Sequence, residues 1–235
     1  VTAGGPALPP VAILAGGLGT RLGAAAAGMP KGMVPVAGRP FLEHVVALLA
    51  RAGAGRIVIC RSHLGELIES GLGDGARFGL RIDYSDEGPA PIGTAGALRR
   101  ALPLLSDRFL AMYGDTYLRV DYAAVAEAHA RSGAAGLMTV LRNRGRWGPS
   151  NVRYRRGRVE AYDKREPPAG AEWIDYGVLG LTPRALDGGE TDLADVLRRL
   201  AAAGELAGLP VTRRFYEIGT PDALAETERF LLREA

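Results

Sequence analysis

Val11-Ala-Ile-Leu-Ala-Gly-Gly-Leu-Gly-Thr-Arg21 decides how this chain is read. Its first five residues are a short continuous apolar run, the pattern of a strand buried on both faces, and the run stops at glycines. Glycines straight after a buried strand let backbone N–H groups approach and cradle a phosphate. Two well-known phosphate loops do not fit. A dinucleotide fingerprint needs glycine where Leu22 stands, and Gly23-Ala-Ala-Ala-Ala-Gly28 continues as Met29-Pro30 rather than the lysine and hydroxyl residue of a Walker loop. What the segment offers instead is Arg21 beside the phosphates, and a lysine, Lys31, returned after a proline.

Working outward, strands and helices alternate. Phe41 to Ala52 has helical apolar spacing, Arg56 to Cys60 reads as a strand, Leu64 to Gly71 as a short helix and Leu80 to Tyr84 as a strand. A helix over Thr94 to Leu105 leads to a strong strand, Phe109 to Tyr113, which ends at Gly114-Asp115. A helix from Tyr122 to Arg131 and a strand from Gly136 to Leu141 follow, then arginine-rich hairpin segments around Asn151 to Tyr162. Ile174 to Leu181 is a strand, Asp192 to Ala203 a helix, and Phe215 to Ile218 precedes a final helix with Thr220 as cap and Pro221 in its first turn. Such alternation predicts a largely parallel sheet covered on both faces, with ligands beyond the carboxyl ends of its strands. That rule puts the glycines after Ala15 and Asp115 at one edge.

With 235 residues, 47% hydrophobic and 23% charged, the chain has the composition of one globular domain. Residues 1–10 read as a flexible tail, 11–235 as the domain, and 143–181 as an inserted part. A formal charge of +3 without blocks of like charge argues against a nucleic-acid surface and leaves small anionic ligands open. No apolar run reaches membrane-spanning length and no signal peptide is visible, so a cytoplasmic protein is expected. The single cysteine, Cys60, excludes an internal disulfide and reads as core. Of the 29 basic residues only Lys31 and Lys164 are lysine, and glutamine is absent. Against that bias, a surviving lysine marks a place where a compact ammonium is needed.

The opening segment resembles that of the sugar-1-phosphate nucleotidyltransferases, a G-G-x-G-T-R loop followed by Pro-Lys; residues 11–46 match well, and the resemblance covers nearly the whole chain. Cytidylyl- and guanylyltransferases acting on isoprenoid and molybdopterin acceptors share the loop but bring the lysine back sooner. Gly32 departs from the pattern, which has proline there. The resemblance is closest to the short single-domain branch that includes heptose 1-phosphate guanylyltransferases. It implies a Rossmann-like three-layer α/β nucleotidyltransferase fold, with a mostly parallel mixed sheet and an inserted sugar-binding β subregion. The implied reaction joins a nucleoside triphosphate to a sugar 1-phosphate and releases pyrophosphate. Two other readings stay open: a catalytically silent NDP-sugar-binding regulatory subunit, and a phosphocholine-type cytidylyltransferase.

The resemblance also implies roles. Leu14, Ala15, Gly16, Gly17, Gly19 and Thr20, with Glu87, Gly93 and Thr94 of Glu87-Gly-Pro-Ala-Pro-Ile-Gly-Thr-Ala-Gly96, would bind the nucleotide. Arg21 and Lys31 would stabilise the reacting phosphates. Asp163 and Lys164 of Val159-Glu-Ala-Tyr-Asp-Lys164 would hold the sugar and its phosphate, joined by Asn151, Asp175 and Tyr176. Bringing two polyanions together calls for a divalent cation, and Mg2+, with Mn2+ as substitute, would sit on Asp115 and on Glu217 of Phe215-Tyr-Glu-Ile-Gly-Thr-Pro221, where the family has aspartate. The partners expected are a nucleoside triphosphate and a sugar 1-phosphate, with no nucleic acid and no membrane; homo-oligomerisation is left open. The histidines at 44, 63 and 129 are given no role.

Overall fold

Strand β1 (Val11–Leu14) sends Val11 and Ile13 to one face of the sheet and Ala12 and Leu14 to the other, and all four side chains are buried. The computed structural model describes residues 8–17, 22, 28–88 and 90–234, so most of the N-terminal tail lies outside the described residues. Strands β4 (Arg56–Arg61) and β6 (Phe109–Tyr113) alternate in the same way: Ile57, Ile59, Leu110 and Met112 face one core, Val58, Cys60, Phe109 and Ala111 the other. A strand apolar at every position needs cover on both sides. The first core is closed by α1 (Phe41–Arg51), α2 (Gly65–Leu72), α4 (Tyr122–Ser132) and α6 (Pro221–Glu234). The second is closed by α3 (Gly93–Ala101) and α5 (Leu193–Ala202), which gives three layers.

Among the described residues, nine strands form the main sheet. They include β5 (Arg81–Asp86), β8 (Gly136–Arg142), β9 (Val152–Arg155), β10 (Arg158–Tyr162), β11 (Trp173–Leu181) and β12 (Leu206–Val211), in the order β5-β4-β1-β6-β11-β8-β12-β10-β9. Pairing is parallel through β5-β4-β1-β6 and between β8 and β12. β11 runs antiparallel to both its neighbours, β6 and β8, and the β9–β10 hairpin completes the far edge. Two small ribbons, β2 (Pro35–Val36) with β3 (Arg39–Pro40), and β7 (Thr116–Tyr117) with β13 (Tyr216–Glu217), lie outside it.

Departures from the sequence expectations have local causes. The helix expected to reach Leu105 stops at Ala101 and tightens into a 3-10 turn over Leu102–Leu104, because Pro103 has no N–H and its ring crowds the preceding turn. β12 was not anticipated: Gly208 and Pro210 argue against a strand. It forms because it pairs with β8 along its whole length, while on its other side β10 meets it only at Ala207, leaving Pro210 little ladder to interrupt. The final helix starts as expected, with Ala223 N–H donating to Thr220 Oγ1 at 3.3 Å. No helix among the described residues is long and apolar enough to cross a membrane.

Ile13 is fully buried at the centre of this arrangement. Ile13→Ala is expected to lower the unfolding free energy by about 2–5 kcal/mol in a denaturant titration. Leu232→Ala, at a side chain 61% exposed, should stay within about 0.5 kcal/mol of the parent.

Candidate active site

Parallel pairing of β1 with β6 sets Leu14 opposite Tyr113, so both strands end side by side. Ala15 N–H donates to Cys60 O at 2.9 Å and Gly114 N–H to Leu14 O at 2.9 Å, which ties the three loops leaving β1, β4 and β6 together. Above them opens a cleft of about 320 Å³, walled by Leu14 to Gly17, Lys31, Ser62, Glu87 and the start of α3. A second cleft of about 420 Å³ lies over Thr116, Lys164 and the start of α5. Thr94, Tyr113 and Asp115 line both, so the two clefts meet at Asp115.

Lys31 reaches that junction from the turn that follows Pro30. A 3-10 turn over Lys31–Met33, closed by Met33 N–H donating to Pro30 O at 2.8 Å, aims its side chain inward. Its Nζ lies 2.7 Å from Asp115 Oδ2, with the lysine side chain 11% exposed and the aspartate 31%. Gly32 has a packing reason: a Cβ built there would come within 2.5–2.6 Å of the Leu42 side chain, which fills the space below the turn.

Glu87 closes the first cleft from the side. A Cβ at Gly16 would meet Glu87 Oε1 at 2.7 Å and Ser62 Oγ at 2.8 Å, so glycine lets both side chains lie close against the backbone here. Ser62 Oγ donates to Gly16 O at 2.8 Å. Burial, and then the charge of Asp86, raise the Glu87 pKa above the ordinary 4.5, partly offset by Arg100. Thr94 occupies the cleft junction with its hydroxyl already engaged: Oγ1 accepts from Leu193 N–H at 2.8 Å and donates to Asp192 Oδ1 at 3.2 Å. Gly93 packs on Thr191 O, so the N-terminus of α3 is latched to that of α5.

In the second cleft, Lys164 turns its ammonium inward although 42% of its side chain is exposed: Nζ is 3.6 Å from Asp175 Oδ2 and 5.1 Å from the centre of the Tyr113 ring. Asp163 lines the same cleft. Its Oδ1 accepts the N–H groups of Arg165 at 2.8 Å and Glu166 at 3.0 Å, and its Oδ2 accepts Arg198 Nη1 at 3.1 Å. Those backbone bonds and the Arg198 guanidinium hold its pKa below the ordinary carboxylate value. Asp163 therefore anchors the turn that carries Lys164.

The remaining expected residues are positioned differently. Asn151 Oδ1 accepts Asp175 N–H at 3.0 Å and joins the hairpin to β11 rather than lining a cleft. Tyr176 is 2% exposed, packed edge-on against Phe215 in the core on the other face of the sheet. Glu217 is brought near the junction through its backbone: it pairs with Thr116, and Ile218 N–H donates to Asp115 O at 3.0 Å. Its carboxylate turns back over Gly219, outside both cleft walls. Gly19, Thr20 and Arg21 lie outside the described residues.

No cluster of three or more potential metal ligands occurs among the described residues. Asp115, with the Glu217 backbone one register step away, supplies hard oxygen donors that fit a divalent cation completing its shell with phosphate and water. Sequence reasoning missed Ser62 and His63, which line the first cleft, and Asp192, Asp195, Arg165 and Arg198, which line the second. The two residues after β4 were accessible through the rule that placed Asp115; those around α5 were not, since no local pattern marks them.

The ends of β1 and β6 thus carry Gly16, Gly17 and Asp115 to the meeting of two clefts, one lined by Lys31 and the other by Lys164. The family model described as Nucleotidyl transferase matches residues 11–148, and the chain belongs to that family. Members of the family generally use divalent cations. The chain is 40% identical over 113 residues to an N-acetylmuramate α-1-phosphate uridylyltransferase of Neisseria meningitidis, covering 48% of this chain and 49% of that protein. It is 35% identical over 109 residues to a D-glycero-α-D-manno-heptose 1-phosphate guanylyltransferase of Campylobacter jejuni, covering 46% and 48%. The matches to the curated relatives span between about a third and two thirds of their length. HddC from Yersinia pseudotuberculosis shares the fold, with a TM-score of 0.79, 23% identity, and coverage of 95% of this chain and 100% of that one.

Gly32→Ala should cost about 1–3 kcal/mol by overpacking, and in combination with Leu42→Ala the loss should fall short of the sum of the two single losses. Strict additivity in denaturant titrations would contradict the packing account. Glu87 adds a pH signature: the native state holds its proton more tightly than the unfolded chain, so its ionisation costs stability as pH rises above 4.5. Glu87→Gln should have a higher melting temperature than the parent at pH 7, and the gap should close below pH 4.5.

Proposed function

We propose that this protein is a sugar-1-phosphate nucleotidyltransferase, converting a nucleoside triphosphate and a sugar 1-phosphate, heptose 1-phosphates included, to an NDP-sugar and pyrophosphate. One observation carries the reading. The chain's two lysines, far apart in sequence, stand in adjoining clefts on either side of Asp115. The triphosphate lies in the cleft of the glycine loop, and the acceptor in the cleft of Lys164.

The reaction needs no covalent enzyme intermediate. An oxygen of the sugar phosphate attacks the α-phosphorus in line, a new oxygen–phosphorus bond forms, the bond to the bridging oxygen breaks, and pyrophosphate leaves with that electron pair. The attacking oxygen is already anionic, so no general base is required. Lys31 neutralises charge on the triphosphate, Lys164 holds the acceptor phosphate in line, and Arg21 is assigned to the departing pyrophosphate. Rate enhancement then comes from positioning and charge neutralisation. Asp115, with Glu217 after its carboxylate swings off Gly219, would hold Mg2+ or Mn2+, which lowers the repulsion between the two polyanions. The reading places the reaction in the cytoplasm.

A grid of nucleoside triphosphates against sugar 1-phosphates, read by pyrophosphate release, tests the proposal. Asp115→Ala should lose about a thousandfold in kcat with its circular dichroism unchanged, and Lys31→Ala about a hundredfold or more. Parental rates in Asp115→Ala would remove the proposed centre. A parent that binds NDP-sugar and releases no pyrophosphate would be a silent binding subunit.

A further inference from the structure

Asp175 sits behind Lys164, and its surroundings give it a different task from that of a sugar ligand. Its side chain is 4% exposed and lines neither cleft. Its Oδ1 accepts Gly177 N–H at 3.0 Å; its Oδ2 accepts the Tyr162 hydroxyl at 3.3 Å and lies 3.6 Å from Lys164 Nζ. The backbone is set to deliver it there. Between Asp175 and Leu179 the register of β11 against β8 shifts, since four steps on β11 answer two on β8, from Val140 to Met138. Bulges of this kind re-aim side chains. The bulge is stapled by Thr139, whose buried Oγ1 donates to Val178 O at 2.7 Å and accepts Val178 N–H at 3.2 Å.

To reach a sugar hydroxyl, the Asp175 carboxylate would have to abandon Gly177 N–H and the Tyr162 hydroxyl, and leaving buried donors unpaired is costly. As it stands, it fixes the ammonium from one side while the Tyr113 ring fixes it from another. We propose that Asp175 is a positioning residue that holds the Lys164 ammonium at the wall of the acceptor cleft and does not itself contact the sugar. The inference rests on the assignment of Lys164 to the acceptor phosphate.

The electrostatics agree with the geometry. Burial by itself lowers the Lys164 pKa, but Asp175 on β11 and Tyr113 on β6, with Asp192 ahead of α5, outweigh it and the net shift is upward. Tyr162 on β10, its own pKa raised by burial and by Asp175, stays a neutral donor to the carboxylate.

Asp175→Asn tests the idea, because it keeps shape and an acceptor for Gly177 while removing the charge. The first measurement is independent of turnover: the rate at which an amine-acylating reagent modifies Lys164, read by peptide mass spectrometry with Lys31 as internal reference. Loss of the anion should lower the Lys164 pKa and speed its modification about tenfold; an unchanged rate overturns the proposal. The second is kinetic. The KM for the acceptor should rise about tenfold, by the same factor for every sugar 1-phosphate accepted, with the KM for the triphosphate unmoved. A factor that follows the sugar's hydroxyl pattern, and vanishes with a deoxy analogue, would make Asp175 a sugar ligand and overturn the proposal. Tyr162→Phe, which removes only the hydroxyl that anchors the carboxylate, should move both readings in the same direction by less. Absence of turnover in the parent would overturn the functional reading alone, and the modification rate would still decide on Asp175.

Discussion

The parallel pairing of β1 with β6 is the constraint from which the site follows. Because Leu14 stands opposite Tyr113, a glycine loop and an aspartate about a hundred residues apart leave the sheet at neighbouring points, where Gly114 N–H donates to Leu14 O. Fully apolar strands make this pairing robust: a slip of one residue would exchange the two cores, placing Ile13 where Ala12 now fits beside the small residues of α3. The cores thus hold the chemistry in register without touching it.

Charge is arranged around that edge as held pairs. Lys31 is matched by Asp115 and Lys164 by Asp175, and neither ammonium has to be desolvated alone, which would be expensive near a sheet edge. The pairs differ in kind. Asp115 is partly exposed and lines both clefts, so its carboxylate is open to both. Asp175 is sealed behind Lys164 and committed to Gly177 and Tyr162, so it can only hold. The latch from Thr94 to Asp192 and Leu193 joins the helices flanking the two clefts, so that neither can shift far without the other.

How far the site was legible depended on whether local chemistry or long-range packing set each residue. Lys31, Asp115 and Lys164 stood out because a lysine is rare in this chain and because an aspartate directly after a buried strand falls at the binding edge. Asp163 and Asn151 lie in the expected neighbourhood, yet their hydrogen bonds go to the turn, α5 and β11, partners no motif names. Tyr176 follows Asp175 on a strand, so it faces the opposite side and is buried with Phe215. Arg198 and Asp195 lie on a helix whose sequence reads as an ordinary amphipathic one.

By itself the sequence determined the alternation of strands and helices, the two-sided burial of β1, β4 and β6, the glycine loop and the residues able to carry phosphate chemistry, because these depend on side-chain periodicity and on chemistry local to a few positions. Only the tertiary structure decided that β12 would be a strand despite Gly208 and Pro210, that β11 would enter antiparallel beside β6, and which carboxylate each lysine would meet. Those outcomes are set by pairing between distant segments, whose hydrogen bonds and contacts outweigh local propensity once the chain has folded.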